Sequence, residues 1–281
     1  MSAPALTLPT NRLLEGLTPQ ARTWTLAQCE RVELVAGDML CEADEPYTHA
    51  YFPLRGVIAL VTIMDPYRPL EMGLIGNEGM LGATLALGVG TAPMRALVQG
   101  AGTAWRIPRD RFQQALLASP DLRRIIYRYL YVRLTQSAQA AACTHFHEIE
   151  PRLARWLLMT QDRAHADHFH LTHEVLATLL GVRRSGITLA AGSLQQRGLI
   201  RYVRGNIRIL DRPGLEAAAC GCYVALLADY AEQFAEPGAP GAPRQRAAPP
   251  PGNASHRVVS AGDSRSRRIR HGCPPAPPSA R

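Results

Sequence analysis

Seven arginines stand between residues 171 and 214, at positions 183, 184, 197, 201, 204, 208 and 212, against two acids, Glu174 and Asp211. A guanidinium is planar and permanently charged. It grips phosphate oxygens, or the O6 and N7 of guanine, through paired N–H donors. No nucleophile motif and no phosphate-binding glycine loop accompanies the cluster. The chemistry indicated is therefore binding, and the protein is expected not to be an enzyme.

The elements that must carry these arginines are legible in residues 171–210, LTHEVLATLLGVRRSGITLAAGSLQQRGLIRYVRGNIRIL. Thr172 suits an N-cap, and Glu174 falls where the helix dipole favours an acid. Val175, Leu176, Leu179 and Leu180 give that first helix an apolar face, and Gly181 stops it. A second helix follows, with Ile187, Ala190, Ala191 and Leu194 on its buried side. Its other side offers Arg183, Arg184, Ser185, Thr188 and Gln195. Gly198 ends it. Residues 199–203 and 207–210 then read as strands joined through Gly205-Asn206, a two-residue hairpin signal. Helix, turn, helix and wing is an arrangement that reads DNA, the second helix entering the major groove. The plainer alternative is an αα-hairpin inside a core. Against it, the face opposite the core carries short polar groups and arginines, not the mixed charges of a solvated face.

The whole-chain charge says less than this cluster does. The net charge is +8 over 281 residues, all from arginine, since the chain has no lysine. Residues 1–147 hold thirteen arginines and twelve acids, residues 148–235 ten and nine, and residues 236–281 eight and two. Only the last segment is strongly basic overall. No apolar run approaches the ~20 residues of a membrane span. The first residues, MSAPALTLPTNRLLEGL, lack a charged start and a long apolar core, so no signal peptide is expected and the location is read as cytoplasmic, with no membrane partner. The six cysteines, at 29, 41, 143, 220, 222 and 273, do not space as a disulfide framework.

Ahead of the cluster, residues 11–30 read as one helix. Short apolar runs follow at 32–35, 39–41, 50–52, 56–63, 70–75, 80–87 and 94–107, separated by turn residues. Strands at that spacing predict an antiparallel barrel or jelly roll. A short helix is expected over 109–117 and a long one over 120–143. Tyr127, Leu130, Leu134, Ser137 and Ala141 repeat along the long helix at three and four, the seam of a two-stranded coiled coil. A parallel line of Leu122, Ile126, Tyr129, Arg133, Gln136, Ala140 and Cys143 leaves open a helix packed only on its own barrel. Helices at 149–164 and 215–234 are expected to support the reading head. From 236 the chain is rich in Pro, Gly, Ala and Arg, which predicts disorder. The fold class expected is α+β, in four parts: a sensor barrel at 11–118, a dimerisation helix at 119–146, a winged helix at 147–235 and a tail at 236–281.

This order resembles the Crp–Fnr family of bacterial transcription regulators, most closely in GVRRSGITLAAGSLQQRGLIRY. The resemblance covers about residues 11–210. It implies a cyclic-nucleotide-binding-like sensor, a homodimer, a palindromic double-stranded DNA operator and, as a candidate further partner, RNA polymerase. By the resemblance Arg184 matches the arginine that reads a guanine, and Arg183, Ser185 and Thr188 lie on the same DNA-facing side. Ser185 stands where relatives often carry glutamate, so base preference does not transfer. Leu189 falls where some relatives place arginine, and can only meet a thymine methyl or a sugar edge. Thr172, His173 and Arg204 match backbone-contacting positions. The sensor departs from the family's nucleotide pattern. Gly82-Ala83 stands where a glycine–glutamate pair grips the ribose, and Ala92-Pro93 where an arginine–serine or arginine–alanine pair neutralises the phosphate. Arg95 lies near but out of place. A cyclic phosphate buried there without a cation would cost several kcal/mol, so no nucleotide cofactor is expected.

Weaker constellations remain. Cys220-Gly221-Cys222 is half a metal site with no second pair nearby in sequence, and is read as a buried thiol pair. The N-terminal cysteine cluster that an iron–sulfur site would need is missing. His145, His147, His165, His168, His170 and His173 are read as solvated, and no metal is expected. The alternatives kept open are a cyclic-nucleotide-responsive regulator and a barrel-type metalloenzyme or ligand-binding module, which would need histidines on the strands where His49 stands alone.

Overall fold

The computed structural model describes residues 10–63, 69–164 and 166–234. The expected disorder of 236–281, and His165, lie outside the described residues. Asn11 opens the fold. Its Oδ1 accepts the N–H groups of Leu13 and Leu14 at the start of α1 (Arg12–Glu15). Its amide donates to the carbonyls of Pro53 and Gly79, 2.9 Å each, so a buried polar side chain is satisfied while tying the N-terminus to the sheet. The single helix expected over 11–30 is two. Pro19 cannot continue a helix but starts one well, and α2 runs Pro19–Leu26.

Five strands follow: β1 (Glu30–Leu34), β2 (Met39–Cys41), β3 (His49–Ile63), β4 (Pro69–Ile75) and β5 (Arg95–Pro108). They form one antiparallel sheet in the order β1-β5-β3-β4, with β2 also on β5. The sheet does not close into a barrel among the described residues, but it has the antiparallel arrangement of a jelly roll. Two separate runs expected at 50–52 and 56–63 merge into the 15-residue β3. Register shifts beside Pro53, Arg55 and Val57 let the strand pass a proline. The strand expected at 80–87 is replaced by a bridge at Leu81 and a 3-10 helix at Ala83–Leu87. Gly82, at φ 85°, turns the chain out of the extended region, which periodicity alone does not reveal.

One core lies on the inner face of the sheet and includes Phe52, Ile58, Ile107, Phe112, Ile126 and Tyr129. α3 (Arg109–Ala118) and α4 (Pro120–Phe146) cover it. Ser119 caps α4 by accepting the Leu122 N–H, and Pro120 sits in its first turn. Leu122, Ile125, Ile126, Tyr129 and Val132 of α4 are buried on their own domain. Tyr127, Tyr131 and Leu134 are exposed, Leu134 at 69%.

The second core joins the outer face of the sheet to the C-terminal half. Val57, Ala59, Val61 and Leu74 pack in one cluster with Leu153, Trp156, Leu157 and Leu158 of α5 (Ile149–Ala164). Two polar contacts mark the junction. Arg163 and Glu78 pair at 2.7 Å with both side chains buried. Trp156 donates its indole N–H to Glu71 Oε1 at 2.9 Å, while Glu71 Oε2 is buried with no partner. Beyond α5 come β6 (His168–His170), α6 (His173–Leu180), α7 (Arg184–Gln196), β7 (Ile200–Val203), β8 (Asn206–Ile209), α8 (Arg212–Ala218) and α9 (Cys222–Phe234). β6 was not anticipated. It adds a third strand to the wing, in the order β6-β8-β7. The one helix expected over 215–234 is broken before Cys222. That break brings Cys220 and Cys222 against Cys143 of α4, all three buried. Among the described residues no helix is long and apolar enough to cross a membrane.

Burial raises the Glu71 carboxyl to about 7, against the Trp156 hydrogen bond and the charge of Arg163, which pull it down. Its folded value exceeds its unfolded one, so the folded state holds the extra proton between them. Stability then falls as pH rises through that window, and the loss is complete above about pH 7. Glu71→Gln keeps an oxygen for Trp156 without the charge. It is expected to exceed the parent in stability by about 1–3 kcal/mol above neutral pH and to flatten the profile below it. Urea midpoints measured across pH check this. Parallel profiles for the two proteins would assign the pH dependence elsewhere.

Candidate nucleic-acid interface

α7 is held by its apolar side. Ile187, Ala190, Ala191 and Leu194 are buried in the cluster that includes α5. The approach is close. A Cβ on Gly186 would lie 2.5 Å from Ile149 Cδ1, so a larger residue at this turn of α7 would have to displace the end of the Ile149 side chain. The opposite side is then fixed in solvent. Arg183, Arg184, Ser185, Thr188 and Leu189 are all exposed, Leu189 at 76%. Arg183 occupies the N-cap without a side-chain cap bond, so the positive end of the helix dipole is presented together with two guanidinium groups.

Arg184 and Glu174 approach only to 3.9 Å, both exposed, which is beyond hydrogen-bond reach. Thr188 holds the exposed side in order. Its hydroxyl lies 3.1 Å from the Arg184 carbonyl and 3.0 Å from His173 Nδ1. Partial burial and the Arg184 charge hold His173 below its ordinary value, so the imidazole is neutral at pH 7. The ring meets Tyr202 of the wing edge-on, with centroids 4.5 Å apart. Tyr202 donates its hydroxyl to the Leu171 carbonyl at 2.5 Å, and its N–H to Gln195 Oε1 at 2.7 Å. The start of α6, the outer face of α7 and the wing are thus one bonded unit.

Thr172 caps α6 by accepting the Val175 N–H at 3.3 Å, which leaves its hydroxyl proton for an outside acceptor. Arg152, buried beneath, donates to the Leu180 carbonyl at 2.6 Å and satisfies the other end of α6.

The hairpin turn lies one residue earlier than expected. Arg204 (φ 49°) and Gly205 (φ 83°) are its two central residues, both left-handed as a type I′ turn requires. Asn206 belongs to β8, opposite Val203, and its Oδ1 bonds His170 Nδ1 at 2.9 Å. Arg204 is therefore presented at the very tip. The Gly205 carbonyl accepts the Leu171 N–H at 2.7 Å, which seats the tip beside Thr172. Sequence reasoning missed His170 and Asn206 as the pair that braces the wing. The alternation His-Phe-His over 168–170 was the available signal, read instead as solvated histidines.

Of the seven predicted DNA-facing residues, the structure links His173, Arg184 and Thr188 through short contacts, places Thr172 beside His173 as the cap of α6, flanks them with Arg183 and Ser185, and sets Arg204 on the neighbouring turn. In the other half, Ala83 and Ala92 are buried. The Ala92 N–H and carbonyl bond Glu45 and Asp44 of the backbone. Arg95 pairs with Glu42 at 2.7 Å.

Residues 151–218 match the Crp-like helix-turn-helix domain, and residues 31–119 match the cyclic nucleotide-binding domain. The chain is 23% identical over 214 residues to the CRP-like cAMP-activated global transcriptional regulator of Mycobacterium tuberculosis, covering 74% of this chain and 96% of that one. It is 26% identical over 200 residues to the transcriptional regulator SdrP of Thermus thermophilus, covering 68% and 94%. Among solved structures, FixK2 from Bradyrhizobium japonicum has the same fold, with a TM-score of 0.58 at 14% identity over 69% of this chain and 98% of that one. With both domain matches in this order on one chain, the protein belongs to the Crp/Fnr family of transcription regulators.

Proposed function

We propose that this regulator reads a palindromic operator as a homodimer, with the N-terminal end of α7 in the major groove, and that its sensor domain answers to something other than a cyclic nucleotide. The observation that carries the reading is the outer face of α7. Its arginines, serine and threonine are turned away from a fully buried apolar side, beside a wing whose tip carries Arg204. In this reading Arg184 contacts a guanine, and Ser185 and Thr188 face neighbouring base edges. Thr172, His173, Arg183 and Arg204 hold the backbone. The parts are the sensor at 11–118, the dimerisation helix at 119–146 and the reading head at 147–235. The protein acts in the cytoplasm, by binding and not by catalysis, with RNA polymerase the candidate further partner of the bound dimer.

Arg184→Ala is expected to weaken the specific site about 10- to 100-fold, with tolerance of substitution at one base pair per half-site. Arg204→Gly keeps the left-handed turn and removes only the charge. It is expected to weaken all sequences alike and to make the salt slope shallower by about one unit. Isotherms on single-base operator variants separate the two behaviours. If Arg184→Ala weakens every variant equally, Arg184 anchors phosphate and the register of α7 in the groove is wrong.

The dimer reading rests on the face of α4 that its own domain leaves uncovered. Tyr127, Tyr131 and Leu134 are exposed along it, and Leu130 is only partly covered. Leu134→Glu sets two charges face to face in that seam and is expected to give monomers with weak operator binding. Sedimentation that still shows dimers would move the interface elsewhere.

The match to the cyclic nucleotide-binding domain favours a second reading, a nucleotide-responsive sensor. Against it stand the buried Ala83 and Ala92, and an Arg95 already engaged by Glu42. Calorimetry with cyclic AMP and cyclic GMP is expected to show no saturable binding. A micromolar isotherm would establish the second reading.

A further inference from the structure

Beside the joint between α4 and α5, three cysteines and a histidine converge from distant parts of the chain. Cys143 lies in the last turn of α4, and His147 is its C-cap, one turn on. Cys220 follows α8, and Cys222 opens α9. Cys143 Sγ and Cys220 Sγ are 3.7 Å apart, and Cys222 Sγ and His147 Nδ1 are 3.6 Å apart. All four donor atoms lie within 4.8 Å of one another. We propose that Cys143, His147, Cys220 and Cys222 form a tetrahedral site for one zinc-class divalent ion.

The distances decide between a metal site and ordinary packing. With metal–sulfur bonds of ~2.3 Å and metal–nitrogen bonds of ~2.0–2.1 Å, the edges of a tetrahedron are about 3.8 Å between sulfurs and about 3.5 Å from sulfur to nitrogen. The Cys143–Cys220 and Cys222–His147 pairs already stand at those lengths. A disulfide is a poorer account, because a third thiol and an imidazole complete the cluster and no pair of these cysteines is bonded. The three cysteines also form a buried cluster of their own, with no aliphatic side chain in it. Three thiolates with one imidazole are a soft donor set that selects zinc over magnesium or calcium. His147 is exposed at the rim, which gives an ion a way in.

Four protein ligands leave no open position, so the ion is structural or regulatory. Its place says what it would hold. Two ligands come from the end of α4 and two from the α8–α9 turn. They straddle the residues between α4 and α5, where the chain passes from the sensor half to the reading head. Occupancy would clamp that joint. Loss of the ion would release it.

The test uses the full chain, purified reduced, exposed to zinc and desalted. Elemental analysis is expected to give one equivalent of zinc per chain. Cobalt(II) in its place should show the ligand-field bands of a tetrahedral ion with thiolate charge transfer. Cys220→Ser should lose the equivalent, and Cys41→Ser should retain it. His147→Ala removes only the exposed ligand, so its folding is secure, and it should weaken zinc binding and shift the cobalt spectrum. Zinc should raise the melting temperature of the parent and not of Cys220→Ser, because the ion binds the folded state. No retained zinc in the parent, a Cys143–Cys220 disulfide in its place, or an unchanged cobalt spectrum in His147→Ala would each overturn the site.

Discussion

The apolar side of α7 can be buried in only one way, and the reading surface follows from it. Ile187, Ala190, Ala191 and Leu194 face the cluster built around α5, and Gly186 lets the two helices come within contact of Ile149. A rotation of α7 by one residue would expose Ile187 or bury Arg184. Each is costly, since a buried aliphatic side chain gains ~1.5–3 kcal/mol and an unpaired buried charge loses more. The direction of Arg184, Ser185 and Thr188 is therefore set by residues that never meet a ligand.

The same cluster carries the constraint to the sensor. α5 packs α7 on one side and the outer face of β3 and β4 on the other, and α6 packs on β4 directly. The junction combines apolar packing with the Arg163–Glu78 pair and the Trp156–Glu71 bond. Polar groups buried between two halves define their relative position more sharply than apolar contact does, because a shift leaves charge unpaired. On the inner face, Ala83 and Ala92 are buried in the core of the sheet.

The order of elements was legible because each is announced by neighbours in sequence: Thr172 as the cap of α6, Gly181 as its stop, the three-and-four spacing of α7. What was not legible depended on contacts across the chain. The 3-10 helix at Ala83–Leu87 hides in an apolar run that also fits a strand, and only the left-handed Gly82 decides. The hairpin register slipped by one because Asn206 reads as a turn residue, while its real partner is His170, thirty-six positions away. Cys143 and Cys220 are separated by seventy-seven positions, so no local spacing announces their meeting.

Charge was the most misleading local signal. The sequence places seven arginines against two acids in 171–214, but the fold imports acids from outside that window. Arg197 pairs with Glu150 at 2.8 Å, Arg208 lies 3.6 Å from Asp167, and Arg212 is held by Asp162, Glu216, Gln161 and the Tyr223 hydroxyl. These three arginines build the head. Arg183, Arg201 and Arg204 have no acid partner among the described residues, and Arg184 has only the long approach of Glu174. The charge available to DNA is thus about half of what the local count suggests, and it is confined to the start of α7 and the wing. A guanidinium without an acid partner has no ion pair to break before it meets a phosphate or a guanine. The division of the arginines between structure and reading therefore determines which of them can contribute to affinity.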